Sequence, residues 1–185
     1  MIPKQNALYQ ACYCEENVYK LIEMSEDREG VFAVFISNEH NTTPLWSQLC
    51  ASRPGGYVAW DYHVIALQKS AKEGVRVYDL DSNLEWGVDF KVWWEKTMNE
   101  EHELSKRFPR EFRLIDAEVY LNLLCSDRNH MLNTDGTYLA PPPSWRCIRP
   151  EHPSNVKLLA NMSEEIKNTV VFNERAMKQL FTIKK

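Results

Sequence analysis

Residues 31–37 read Val-Phe-Ala-Val-Phe-Ile-Ser, a run of β-favouring side chains with almost no polar interruption. A strand with one wet face alternates apolar and polar residues; this one does not, so both of its faces need cover. The chain must therefore build a sheet with this strand inside it and packing material on each side. Val18, Leu21 and Ile22 recur at helical spacing, and Glu15 and Glu16 sit where negative charge suits the positive end of a helix dipole. That places Cys14 at, or just before, a helix N-terminus. Arg53-Pro54-Gly55-Gly56 marks a turn, after which residues 57–67 and 75–80 read as two strands joined by the polar Ser70-Ala71-Lys72-Glu73 region, a hairpin. Residues 90–106 and 116–125 have helical periodicity, while residues 139–153 hold most of the prolines and predict an extended surface loop. A short strand over 169–172 and a helix over 173–181 close the pattern. The fold class expected is α+β, with helices packed on a mainly antiparallel sheet.

At 185 residues and 44% hydrophobic, with no internal repeat, low-complexity tract or shift in composition, the chain suits one domain spanning 1–185. Its net charge of -4 and scattered basic residues offer no footprint for nucleic acid or an anionic membrane. No stretch reaches the roughly 18 apolar residues of a membrane span, and no apolar run follows a basic start. A soluble, intracellular protein is expected. Cys12, Cys14, Cys50, Cys125 and Cys147 are an odd number in a chain large enough to fold without staples, which suits free thiols in the cytosol. The two glycosylation sequons, at Asn41 and Asn161, read as chance matches without a secretory signal.

The hairpin brings a candidate site into view. With a loop over 69–73, Gln68 opposes Gly74 and, in the same register, His63 faces Asp79 from the same side of the sheet, with Trp60, Tyr62 and Val64 on the other. Directly opposed Cβ atoms lie roughly 5 Å apart, close enough for a carboxylate to hold an imidazole. Such a partner selects the ring nitrogen that carries the proton and leaves the other free to meet a thiol. Cys14 lies four residues before Val18 and so shares the helix face turned to the sheet, whereas Cys12 precedes the helix and reads as structural. At a helix start beside an imidazolium, a cysteine pKa falls below its free value of about 8.5.

Each residue also has a plain packing role. A buried cysteine serves as a small core hydrophobe, a histidine as a satisfied core group, and Asp79 as a turn cap. Spacing by itself leaves these readings open. A zinc site is not expected, because Cys12 and Cys14 have no second closely spaced pair to join them, and His63, His130, Cys125 and Cys147 are scattered. Ser126-Asp127-Arg128-Asn129-His130 reads as a solvated helix-end turn, Trp60, Tyr62, Trp93 and Trp94 as packing, and Pro141-Pro142-Pro143 as a rigid strut.

Taken together, Tyr13-Cys14-Glu15-Glu16-Asn17, Ala33-Val34-Phe35-Ile36-Ser37-Asn38-Glu39, Trp60-Asp61-Tyr62-His63-Val64, Tyr78-Asp79-Leu80-Asp81, Ser126-Asp127-Arg128 and Pro141-Pro142-Pro143 resemble the protein N-terminal glutamine amidohydrolase family. The resemblance runs from about Leu8 to Phe181 and is strongest before Asp81. It implies a papain- and transglutaminase-like fold with a Cys-His-Asp triad at Cys14, His63 and Asp79. It also implies hydrolysis of the side-chain amide of an N-terminal Gln to Glu and ammonia, with no cofactor and no metal, feeding the N-degron pathway. The partners implied are proteins or peptides with a free N-terminal Gln, acted on by a monomer in the cytoplasm and also the nucleus. Sensing the substrate's free α-amine calls for an acceptor, for which Asp61, Glu15 and Glu16 are the candidates nearby in sequence. A cysteine peptidase or acyltransferase of similar fold, or a non-catalytic module recognising N-terminal residues, would use the same parts differently.

Overall fold

In the computed structural model, which describes residues 1–182, the apolar run is strand β1 (Val31–Ser37), set inside a six-stranded sheet. Before it comes helix α1 (Cys14–Glu23); after it come β2 (Thr43–Trp46), β3 (Tyr57–Trp60), β4 (His63–Ser70), β5 (Gly74–Tyr78) and β6 (Val88–Asp89). Helices α2 (Phe90–Met98) and α3 (Glu103–Arg107) lead to β7 (Glu111–Asp116) and α4 (Ala117–Leu123). A long irregular stretch then reaches α5 (Val156–Ala160), β8 (Thr169–Asn173) and α6 (Glu174–Thr182). The sheet order is β6-β5-β4-β1-β7-β8 with every pairing antiparallel, and β2 with β3 forms a separate two-stranded sheet. The α+β expectation holds.

The two faces of β1 serve two cores. Ala33 and Phe35 pack with Val18, Leu21 and Ile22 of α1 and Tyr120 of α4. Val34 and Ile36 pack on the opposite side with Trp93, Trp94 and Met98 of α2 and Met177 of α6. Alternate side chains of a strand project to opposite faces, so a strand between two helical layers must be apolar throughout.

Several boundaries differ from the sequence expectations for identifiable reasons. The strand predicted over 57–67 is two strands in two sheets, because the chain bends at Asp61 and Tyr62. The helix predicted over 90–106 stops at Met98, where Asn99 turns left-handed (φ 43°), and restarts behind the His102 ring, which accepts from Leu104 N. Strand β7 was not expected at all, although it pairs along β1. Its alternation is broken by a buried Arg113, whose guanidinium donates to the carbonyls of Leu159, Asn161 and Glu164 and to Thr169 Oγ1.

The hairpin register is also corrected. Ser70 pairs with Gly74 across a loop of three residues, so Gln68 opposes Arg76 and the ladder ends at Ala66 with Tyr78. Gly74 closes this tight loop at φ 74°, a conformation that side chains disfavour. The shift is two residues, which preserves the face of every side chain. His63 therefore still shares a side with Asp79, as a diagonal neighbour rather than a direct one.

Candidate active site

Cys14 is the first residue of α1, and the approach to it is pinned: the Asn17 side chain accepts from Gln10 N and donates to Gln10 O. Cys12, two residues earlier, stands exposed in a left-handed conformation (φ 68°) at the rim of a cleft that Cys14 also lines. It is not the packed structural cysteine that its position suggested. The cleft holds about 800 Å³ and takes Trp60, Asp61, Tyr62, Asp81 and His130 into its wall.

His63 opens β4, fully buried, and the Trp60 ring stacks on its imidazole with centroids 5.3 Å apart. Trp60 thus covers the histidine rather than pointing away from it, a consequence of the bend at 61–62. The Nε2 of His63 meets Asp79 Oδ1 at 2.9 Å. That carboxylate also accepts from Asp81 N, Gln48 Nε2 and Trp93 Nε1. Burial opposes its ionisation, but His63, Gln48 and Trp93 outweigh burial and hold its pKa below the ordinary value. An ionised acceptor there keeps the proton on Nε2 and leaves Nδ1, which is buried with no hydrogen-bond partner among the described residues. Burial likewise opposes the imidazolium, yet Asp79, with smaller help from Asp81 and Glu15, raises the His63 pKa.

The thiol does not behave as its helix-start position suggested. Burial, then Glu15, Asp81 and Asp61, push the Cys14 pKa well up, with the Val64 backbone amide working against them. The dipole of a single helix end is outweighed by desolvation and by three carboxylates.

The three acidic candidates for amine binding separate clearly. Asp61 lines the cleft, exposed, with its Oδ1 accepting from Tyr62 N. Glu15 is buried beside the thiol, its Oε2 3.7 Å from Cys14 Sγ and accepting from Tyr62 OH at 3.0 Å. Glu16 points elsewhere and is unavailable: Ser126 Oγ, Arg128 Nε and Nη2, and Trp145 Nε1 all donate to it. The segment expected to be a solvated turn is this clamp, and Arg128 further donates to the carbonyls of Pro143 and Trp145, tying in the proline strut. Asp81 and His130 are wall residues that sequence reasoning did not select. Asp81 was signalled only by standing two residues, one strand repeat, beyond Asp79. Among the described residues, His63, Asp79 and Asp81 are the one grouping whose ligand atoms all lie within 4.8 Å of one another. Within it, the His63–Asp79 contact has the length of a hydrogen bond.

A thiol at a helix start, an imidazole with one nitrogen locked by a buried carboxylate, and an acidic cleft form the equipment of cysteine acyl-transfer chemistry. Comparison with known proteins narrows this. A family model described as N-terminal glutamine amidase matches residues 9–181. A Caenorhabditis elegans protein named protein N-terminal glutamine amidohydrolase is 53% identical over 184 residues, covering 98% of this chain and 100% of that one. Proteins of the same name from Caenorhabditis briggsae and Homo sapiens are 45% and 40% identical, covering 98% and 79% of this chain and 99% and 73% of their own length. With matches of this extent laid over the geometry around Cys14, the chain belongs to the N-terminal glutamine amidase family.

Proposed function

We propose that this chain hydrolyses the side-chain amide of an N-terminal glutamine in proteins and peptides, releasing ammonia and leaving glutamate, with Cys14 as nucleophile, His63 as proton carrier and Asp79 as its orienting partner. The observation that carries this reading is the His63 ring, locked through Nε2 by Asp79 while its buried Nδ1 lacks a partner, in a member of an amidase family.

The thiol proton passes to His63 Nδ1 as sulfur attacks the δ-carbon of the substrate. Asp79 stabilises the imidazolium so formed. Collapse of the tetrahedral species breaks the C–N bond, with His63 returning the proton to the departing nitrogen, which leaves as ammonia. A thioester remains on Cys14. Water, losing a proton to His63, attacks it, and glutamate departs as the thiol regains its proton. No cofactor enters any step.

The charge around the thiol suits a cationic substrate. Burial, with Glu15, Asp81 and Asp61, opposes a thiolate at Cys14. An incoming α-ammonium offsets that field, which lowers the thiol pKa when substrate is bound. All five cysteines are free, in keeping with a reducing cytoplasm or nucleus, and the N-terminal glutamate produced would feed arginylation and degradation by the N-degron pathway.

The test is mass spectrometry and ammonia assay of a peptide beginning with Gln, beside peptides beginning with acetyl-Gln or Asn or carrying Gln internally. Conversion of the first peptide alone from amide to acid is expected. Two shorter fragments would indicate a peptidase, and release of ammonia from the acetylated peptide at a comparable rate would remove the α-amine requirement.

A further inference from the structure

Three buried polar atoms at one contact beside the cleft have no hydrogen-bond partner among the described residues: Glu15 Oε1 and both ring nitrogens of His130. The His130 side chain is 7% exposed and lines the cleft that holds Cys14. Its Nε2 lies 3.4 Å from Glu15 Oε1, near enough to interact but without the alignment of a hydrogen bond. Buried polar atoms are nearly always paired, so three orphans in one place, one residue from the nucleophile, call for an occupant that would pair them.

The donor and acceptor inventory says what that occupant carries. A carboxylate oxygen only accepts, and a neutral imidazole whose proton sits on Nδ1 has Nε2 left to accept. A single centre bearing several N–H bonds and a positive charge answers both. The distances also fit a glutamine substrate. With its δ-carbon at Cys14, its α-nitrogen reaches up to ~5 Å from that carbon, and the other oxygen of Glu15 is already 3.7 Å from Sγ. Asp61 offers a carboxylate too, but it is exposed. Water screens an ion pair there and would compete for the ammonium.

We infer that Glu15 and His130 together receive the α-ammonium of the substrate, Glu15 Oε1 supplying the negative charge and the neighbouring His130 Nε2 a lone pair, and that this pair sets the demand for a free N-terminus. The inference rests on the amidase reading above. His130 is held in place by the clamp two residues earlier, where Arg128 turns left-handed (φ 63°) and grips Glu16. Consecutive residues of one helix start thus bear the nucleophile, the amine receptor and the anchor.

The experiment compares kcat/KM for ammonia release from two peptides identical except that one has hydrogen in place of the α-amino group of its first glutamine. The unaltered protein should prefer the amine strongly, since sites built around a substrate N–H reject analogues lacking it. His130→Ala and Glu15→Gln should each reduce that preference about 10- to 100-fold, and His130→Asn, which keeps an acceptor, should restore part of it. A purely structural role, or an effect of Glu15 on the thiol alone, would slow both peptides equally and overturn the inference. An unchanged preference would do the same. Should His130→Ala fail to fold by circular dichroism, the near-isosteric Glu15→Gln carries the test alone. If the unaltered protein released no ammonia from either peptide, the amidase reading would fall first.

Discussion

Replacing Arg128 by alanine tests whether the helix start that carries Cys14 is held by one buried ion pair. Glu16 is fully buried and accepts from Ser126 Oγ at 2.9 Å, Arg128 Nε at 2.9 Å, Arg128 Nη2 at 2.7 Å and Trp145 Nε1 at 2.8 Å. The substitution removes two of these four donors together with the positive charge that pairs with Glu16. A buried carboxylate stripped of its partner costs about 3–5 kcal/mol, a large share of the roughly 5–15 kcal/mol that holds a domain together. At about 2–4 °C per kcal/mol for a chain of this size, the melting temperature should drop by roughly 6–20 °C. Urea unfolding followed by circular dichroism would give the number, provided the slope with denaturant stays constant. Glu16→Gln removes the buried charge itself, so the double variant Arg128→Ala with Glu16→Gln should lose less than the two single losses combined, by about 1.5 kcal/mol or more. An Arg128→Ala protein within 1 kcal/mol of the parent, or strict additivity in the cycle, would refute the reasoning.

Cys14→Ala and Cys14→Ser should abolish ammonia release while Cys12→Ser, altered at the exposed rim, keeps most of it; equal losses in folded variants would remove Cys14 as nucleophile. Asp79→Asn should lower kcat by roughly 10⁴-fold through the wrong histidine tautomer, and wild-type turnover would point to Asp81 instead. The Asp79 pKa is depressed in the folded state, so its stabilisation is full above the unfolded value of about 3.9 and lost as pH falls through the folded one. The His63 pKa is raised, so its contribution is full below about 6.5 and lost as pH rises through the folded value. The pair therefore stabilises most between about pH 4 and 6.5, and urea midpoints across pH should show a dependence that Asp79→Asn flattens; identical profiles would contradict it. Alkylation of Cys14 by iodoacetamide in the empty protein should be slow at neutral pH and rise into the alkaline range, because burial and its acidic neighbours raise the thiol pKa; a fast plateau from pH 6 would show a preformed thiolate.

What the sequence makes legible here follows from what each pattern measures. An unbroken apolar run reports burial on both faces, so β1 was readable to the residue, whereas β7, equally central, was masked by Arg113, whose partners on Leu159, Asn161 and Glu164 no local window can see. His63 and Asp79 were matched through a register two residues out, and the match survived because strand side chains have a period of two. Parity alone was inferred; the 2.9 Å contact depends on the bend at 61–62 that frees His63 from strand β3. Glu15 and Glu16 show the limit most plainly. Both are acidic residues in the first turn of α1, and a dipole argument treats them alike. In the fold their side chains lie on different sides of that turn, so one meets Tyr62 and His130 at the cleft and the other meets Arg128, 112 residues away. Periodicity tells which side of a helix is buried, but a charge there is assigned by its partner, and the partner is supplied by the path of a distant loop. The proposed amine site depends on that second kind of information: the chain offered Glu15 only as one of three acidic candidates, and the packed structure separated it from Glu16 and set His130 beside it.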